Sequence, residues 1–204
     1  MKWILSGLAF IAVVLIAPAA WVFLSAPPPP DTSSGLPWQI ETPAPGQSRV
    51  FGLQPGQSRV AEAIERFGRE FDVAIIAAPG QAPALEGYFE STRAGPITGK
   101  AVIAIVADAA ELDAMMARAA KVEYMESTTR KYTLSTEDLG TIKARALRAI
   151  TFIPSAHLDE TVILQRFGVP AQRIRAGETL EHFLYPDKGL DLALDSKGKE
   201  VLQY

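Results

Sequence analysis

Ser58-Arg59-Val60-Ala61-Glu62-Ala63-Ile64-Glu65-Arg66-Phe67-Gly68 and Leu158-Asp159-Glu160-Thr161-Val162-Ile163-Leu164-Gln165-Arg166-Phe167-Gly168 stand 100 residues apart, and both close in Arg-Phe-Gly. In each, apolar residues recur at helical spacing: Val60, Ala63, Ile64 and Phe67 in the first, Leu158, Val162, Ile163 and Phe167 in the second. Ser58 can cap the first helix, and Gly68 and Gly168 supply the left-handed residue that stops each one. Pro170 then prevents continuation of the second.

Strand patterns follow each helix. After the first come Phe71 to Ala78, Leu85 to Thr92 and Lys100 to Ala107. After the second come Ala171 to Arg175, Leu180 to Tyr185, Leu190 to Asp195 and Glu200 to Tyr204. Asp187-Lys188-Gly189 and Asp195-Ser196-Lys197-Gly198 read as hairpin turns, and Leu190, Leu192 and Leu194 alternate as one buried face. Between the copies the pattern predicts a helix over 109–120, a strand over 121–134 and a helix over 136–149, the last opened by Ser135-Thr136-Glu137-Asp138. Helix followed by antiparallel meander, twice, is an α+β arrangement.

Upstream, Ile4 to Leu24 is an apolar run of 21 residues with Trp3 and Trp21 near its ends. At about 1.5 Å per residue a helix of that length reaches roughly one hydrocarbon core. Lys2 is the only charged side chain in the first 30 residues, and no Lys or Arg follows before Arg49. The positive-inside rule then places the N-terminus in the cytoplasm and the bulk of the chain in the periplasm. Ala17-Pro18-Ala19 offers the alternative of a cleaved signal peptide, against which the length of the run argues. Pro27 to Pro30 opens a proline-rich segment suited to a semi-rigid stalk, with Trp38 and Ile40 the residues that would dock if it packs on its own domain. The organisation expected is therefore an inner-membrane anchor over 1–26, a periplasmic stalk over 27–50, a first α+β unit with extra helices over 51–150, and a second unit over 151–204.

The chain of 204 residues has 20 Lys plus Arg, 23 Asp plus Glu, two His and no Cys. This excludes disulfides, thiolate metal sites and a Cys nucleophile, and a net charge of -3 leaves no footprint for nucleic acid. Gly95-Pro96-Ile97-Thr98-Gly99-Lys100 is one residue short of a phosphate loop and is followed by Ala101, so it reads as a turn. Met115, Met116, Tyr124 and Met125 read as core filling. No catalytic residue, cofactor or metal is expected.

The segment from Leu158 to Val201 resembles the SmpA/OmlA (BamE-like) family. The resemblance is carried by Phe167-Gly168-Val169-Pro170 at the helix stop, His182-Phe183-Leu184-Tyr185 on an aromatic-rich strand, and Leu190 through Gly198 closing in a turn. It implies the small helix-plus-antiparallel-sheet unit shared with β-lactamase inhibitor proteins, where the unit occurs in tandem. That family is lipid-anchored through an N-terminal Cys, which this chain lacks.

The sequence thus predicts an α+β protein: an N-terminal transmembrane helix followed by a tandem pair of small helix-plus-sheet units. Its expected role is non-enzymatic, as an accessory or assembly subunit of a cell-envelope or inner-membrane complex. A protein partner in the inner membrane or periplasm is expected, with lipid contacts through the N-terminal helix. Contact residues would be Trp3, Trp21, Trp38, Arg166, Arg173 and Arg175. The alternatives are a periplasmic hydrolase using Ser155 or Asp191 with His157 or His182, and a lipid or small-molecule binder.

Overall fold

The computed structural model describes residues 35–44, 46–125 and 128–204, which fall in one compact unit. Among them are four α-helices: α1 (Val60–Phe67), α2 (Ala109–Ala117), α3 (Thr136–Ile142) and α4 (Glu160–Phe167). The strands are β1 (Asp72–Ala77), β2 (Ala84–Ala94), β3 (Ile97–Ile105), β4 (Lys121–Tyr124) and β5 (Arg130–Thr133), then β6 (Leu147–Pro154), β7 (Gln172–Arg175), β8 (Leu180–Tyr185), β9 (Leu190–Asp195) and β10 (Val201–Gln203).

Local chemistry explains the helix ends. Asp159 accepts from the Val162 amide at 2.8 Å and Asp108 from the Glu111 amide at 2.8 Å, each satisfying a first-turn N–H. At α1 the N-cap is Arg59 and the capping group is Glu62, which accepts from the Arg59 amide at 2.9 Å. Ser58 instead donates to Glu62 at 3.0 Å, holding that carboxylate in place. Both helices stop at glycine with positive φ, 121° at Gly68 and 84° at Gly168.

All ten strands lie in one sheet, in the order β4-β5-β1-β2-β3-β6-β10-β9-β8-β7, and every neighbouring pair is antiparallel. This overturns the expected tandem of two small sheets behind a transmembrane helix. The strands after α1 and those after α4 share a single continuous sheet, fused where β6 meets β10. Two element assignments account for the difference. Residues 121–134 form a hairpin, β4 and β5, and the helix expected over 136–149 ends at Ile142, giving way to β6.

No helix among the described residues is long and apolar enough to cross a membrane. That corrects the expectation of a single-pass inner-membrane protein with its bulk in the periplasm. The apolar run 4–24 that carried it, with Trp3 and Trp21, lies outside the described residues, as does Pro27 to Pro30. From Gly35 onward the proline-rich segment packs on the sheet domain. Trp38 meets Phe167 edge-on at 6.3 Å, and the Pro37 carbonyl accepts from the Tyr204 hydroxyl at 2.7 Å.

One face of the sheet carries the core. Val73 and Ile75 of β1, Leu85 and Phe89 of β2, Ile103 of β3, Phe152 of β6, Leu192 of β9 and Leu202 of β10 all join a single buried cluster. Every helix contributes to it: Phe67 from α1, Leu112 from α2, Ile142 from α3 and Phe167 from α4. Each such side chain contributes about 1.5–3 kcal/mol by leaving water.

Phe51 sits at the centre. Val50 and Leu53 exchange backbone hydrogen bonds at 2.9 and 2.8 Å across a two-residue turn in which Phe51 and Gly52 have φ of 57° and 79°. Positive φ is strained for a bulky residue, and burial of the ring against Phe67, Phe152 and Tyr204, at 5.5 to 5.7 Å, offsets it. Arg66 clamps the same turn, donating from Nε to the Phe51 carbonyl at 3.1 Å and from Nη1 to the Arg93 carbonyl at 2.9 Å.

Two outcomes follow from this packing. A Cβ at Gly99 would lie 2.5 Å from the Ile153 carbonyl oxygen on the paired strand β6, where backbone cannot give way. Gly99→Ala should therefore lower stability by about 1–3 kcal/mol in urea unfolding. Burial pushes the Tyr204 phenol well above the ordinary value of 10.0, so the folded chain keeps a proton that the unfolded chain releases. Stability should fall as pH rises past about 10. Tyr204→Phe should flatten that alkaline slope while costing about 1–2 kcal/mol at neutral pH, because the Pro37 carbonyl loses its donor.

Candidate functional site on the open sheet face

Side chains alternate along a strand, so residues between the core positions point to the opposite face. All four helices bury their apolar residues on the first face, and none covers the second. Cross-strand register assembles the second face into rows. One row runs Gln172, Leu184, Asp191, Gln203, Thr151, Val102, Tyr88, Asp72 across eight strands. The next runs Ala149, Ala104, Glu86, Ala74, Thr133. Three alanines in that second row leave a trough with Glu86 in its middle.

The trough opens into a cavity of about 900 Å³ lined by Ala74, Ile76, Glu86, Tyr88, Val102 and, from the β4–β5 hairpin, Tyr124 and Met125. Tyr124 is 78% exposed and Met125 51%. The expectation that these two fill the core is therefore corrected, although Met115 is buried as expected. Their place in a hairpin rather than in one continuous strand carries them to the cavity rim.

Charges around the cavity are paired with one exception. Lys100 meets Glu90 at 2.9 Å, Lys121 meets Glu123 at 2.6 Å, and Lys131 meets Asp72 at 2.6 Å. Glu86, half-buried, has no hydrogen-bond or ion-pair partner among the described residues, and burial pushes its carboxyl up from the ordinary value. Its direct neighbours across the strands are Ala74 and Ala104, which offer no donor.

The contact residues expected from the sequence lie elsewhere. Arg166 stacks on the Trp38 ring at 4.8 Å, so those two residues meet each other. Arg173, on β7, bonds Glu160 at 2.8 Å and Glu181 at 2.9 Å and lies over the Phe183 ring at 4.3 Å. These carboxylates raise its pKa further and neutralise its charge locally. Arg175 is exposed on the same strand. Lys188, in the turn after β8, donates to the Phe167 carbonyl at the end of α4. Trp3 and Trp21 lie outside the described residues.

The residues considered for hydrolysis are divided between two places. His182 Nδ1 lies 2.9 Å from Asp191 Oδ1 on the open face. His157 contacts the fully buried Glu200, while the Ser155 carbonyl accepts from Lys199 at 2.7 Å. Among the described residues no group of three or more His, Asp and Glu gathers to hold a metal.

Comparison with known proteins adds no relative: no family model, no curated protein and no solved structure matches this chain.

An unpaired carboxylate kept in a half-buried trough is a cost to folding. Glu86→Gln keeps the shape and removes the charge. It should leave the fold intact and raise the melting temperature at pH 7 by about 1–2 °C, a small gain because solvent still reaches the group. Since the raised carboxyl pKa makes the folded state hold its proton longer, that gain should shrink as pH falls toward the folded-state pKa.

Proposed function

We propose that this chain is a non-enzymatic protein-binding module, an accessory or assembly subunit that presents the open face of its sheet to another polypeptide. The observation that carries this reading is the asymmetry of the sheet. One face is covered by four helices. The other displays Ile76, Tyr88, Val102, Leu184 and Ala193 half-buried, with Ile174 exposed near one end. Mixed apolar and aromatic surface of this kind is what protein interfaces use at their centres.

Two modes of contact are available to such a sheet, and the edges favour the face over strand addition. β4 and β7, the outermost strands, are four residues each. They carry Lys121, Glu123, Arg173 and Arg175, and short charged edges discourage another strand from pairing. Kinship with the SmpA/OmlA family belongs to this proposal and rests on the motifs from Phe167-Gly168-Val169-Pro170 to Gly198 in the sequence.

Photo-crosslinking in the cells that express the protein tests the reading. Benzoylphenylalanine would replace Ile76 or Leu184 on the open face, or Glu65 or Gln165 on the helices. A discrete adduct to another protein is expected from Ile76 and Leu184 and none from the helix positions. Equal adducts from both faces, or none from either, would overturn the proposal.

A further inference from the structure

The binding face has one feature that selects a partner's chemistry: a single uncompensated charge between apolar side chains, in a cavity whose other charged lining residues, Asp72 and Lys131, pair with each other. From this we infer that the cavity around Glu86 receives the side chain of a lysine or arginine from the partner polypeptide. The inference rests on the protein-binding role proposed for this face and names what that face recognises.

Charge complementarity decides the sign. All three lysines near the cavity already have carboxylate partners within 2.9 Å, so Glu86 is left to attract a cation from outside. An anionic group entering the trough would meet the Glu86 carboxylate, while the lysines around it are already held by carboxylates. A cation instead restores what burial took from Glu86, and the raised carboxyl pKa is a sign of how much solvation is missing.

The walls decide the shape. Ala74, Ile76 and Val102 are apolar and suit the methylene stem of a long basic side chain, which buries its carbons while its head reaches a charge. Tyr88 stands at the same cavity, where a cation gains from an aromatic face. A cavity of about 900 Å³ is in the range that holds a ligand of many atoms, larger than one ammonium group requires. Tyr124 and Met125 on the rim are too exposed to be covered by a free amine. The cation therefore comes attached to flanking apolar residues, as on a peptide.

The test is an amide NMR titration of the full-length chain with three acetylated, amidated pentapeptides, Ala-Leu-Lys-Leu-Ala and its counterparts with norleucine or Glu in place of Lys, and with n-butylammonium. The lysine peptide should shift amides of β1, β2 and β3 around Glu86 and bind at least about tenfold more tightly than the other peptides and than n-butylammonium. Glu86→Gln, with amide dispersion retained, should reduce the lysine peptide to the norleucine level. Equal binding of the norleucine or Glu peptide, an unaffected Glu86→Gln variant, or no shifts at the cavity would overturn the inference. Butylammonium binding as tightly as the lysine peptide would overturn the polypeptide partner. If the crosslink at Ile76 forms and survives Glu86→Gln, the binding face stands and only the cation reading falls. If no open-face crosslink forms, the face itself is wrong.

Discussion

Leu202 pairs with Phe152 and Gln203 with Thr151, and Ile150 and Tyr204 exchange both backbone hydrogen bonds, at 3.0 and 2.8 Å. Among the described residues, this short ladder between β6 and β10 is the only strand pairing that joins the two halves of the sheet. It is reinforced on the core side, where Phe51 lies against both Phe152 and Tyr204 and the Tyr204 hydroxyl reaches the Pro37 carbonyl. Without it there would be two four- to six-stranded sheets, each with an additional exposed edge. With it, the second face runs unbroken over ten strands.

That unbroken face follows from how the core is distributed. Helices α1 to α4 all pack on one side, so the buried apolar side chains of the central strands gather on that side. The other side has to balance solubility against whatever it meets. It does so with cross-strand ion pairs such as Lys131 with Asp72 and with small residues such as Ala74, Ala104 and Ala149. Glu86 is the departure: a carboxylate set among alanines with nothing to pair with. Local rules for a stable sheet would place an apolar or paired residue there, and departures of that kind gather where a surface has work other than folding.

The two Arg-Phe-Gly segments show how little a shared motif decides about a side chain's role. Phe67 and Phe167 both enter the core, and both glycines stop a helix. Arg66, however, turns inward to hold the Phe51 and Arg93 carbonyls, and burial lowers its pKa. Arg166 stays at the surface and stacks on Trp38. The difference lies in what the chain before β1 brings to each helix end, a turn at Phe51 in one case and an indole in the other.

Periodicity and stop signals in the sequence were enough to determine the helices at 60–67 and 160–167, most of the strands, and the buried alternation of Leu190, Leu192 and Leu194, because these depend on residues a few positions apart. β6 was not legible. Residues Ala144 to Ala149 favour a helix, and the strand character of Ile150-Thr151-Phe152-Ile153 wins only because β3 and β10 lie ready on either side. Misreading that one strand turned a single sheet into two. The same cause hid the site: alternation puts Glu86 beside Tyr88, but that Glu86 lacks a partner, and that Tyr124 and Met125 reach its cavity, depends on a hairpin further along the chain. Short-range pattern settles which way a side chain points; only the folded sheet settles what it meets there.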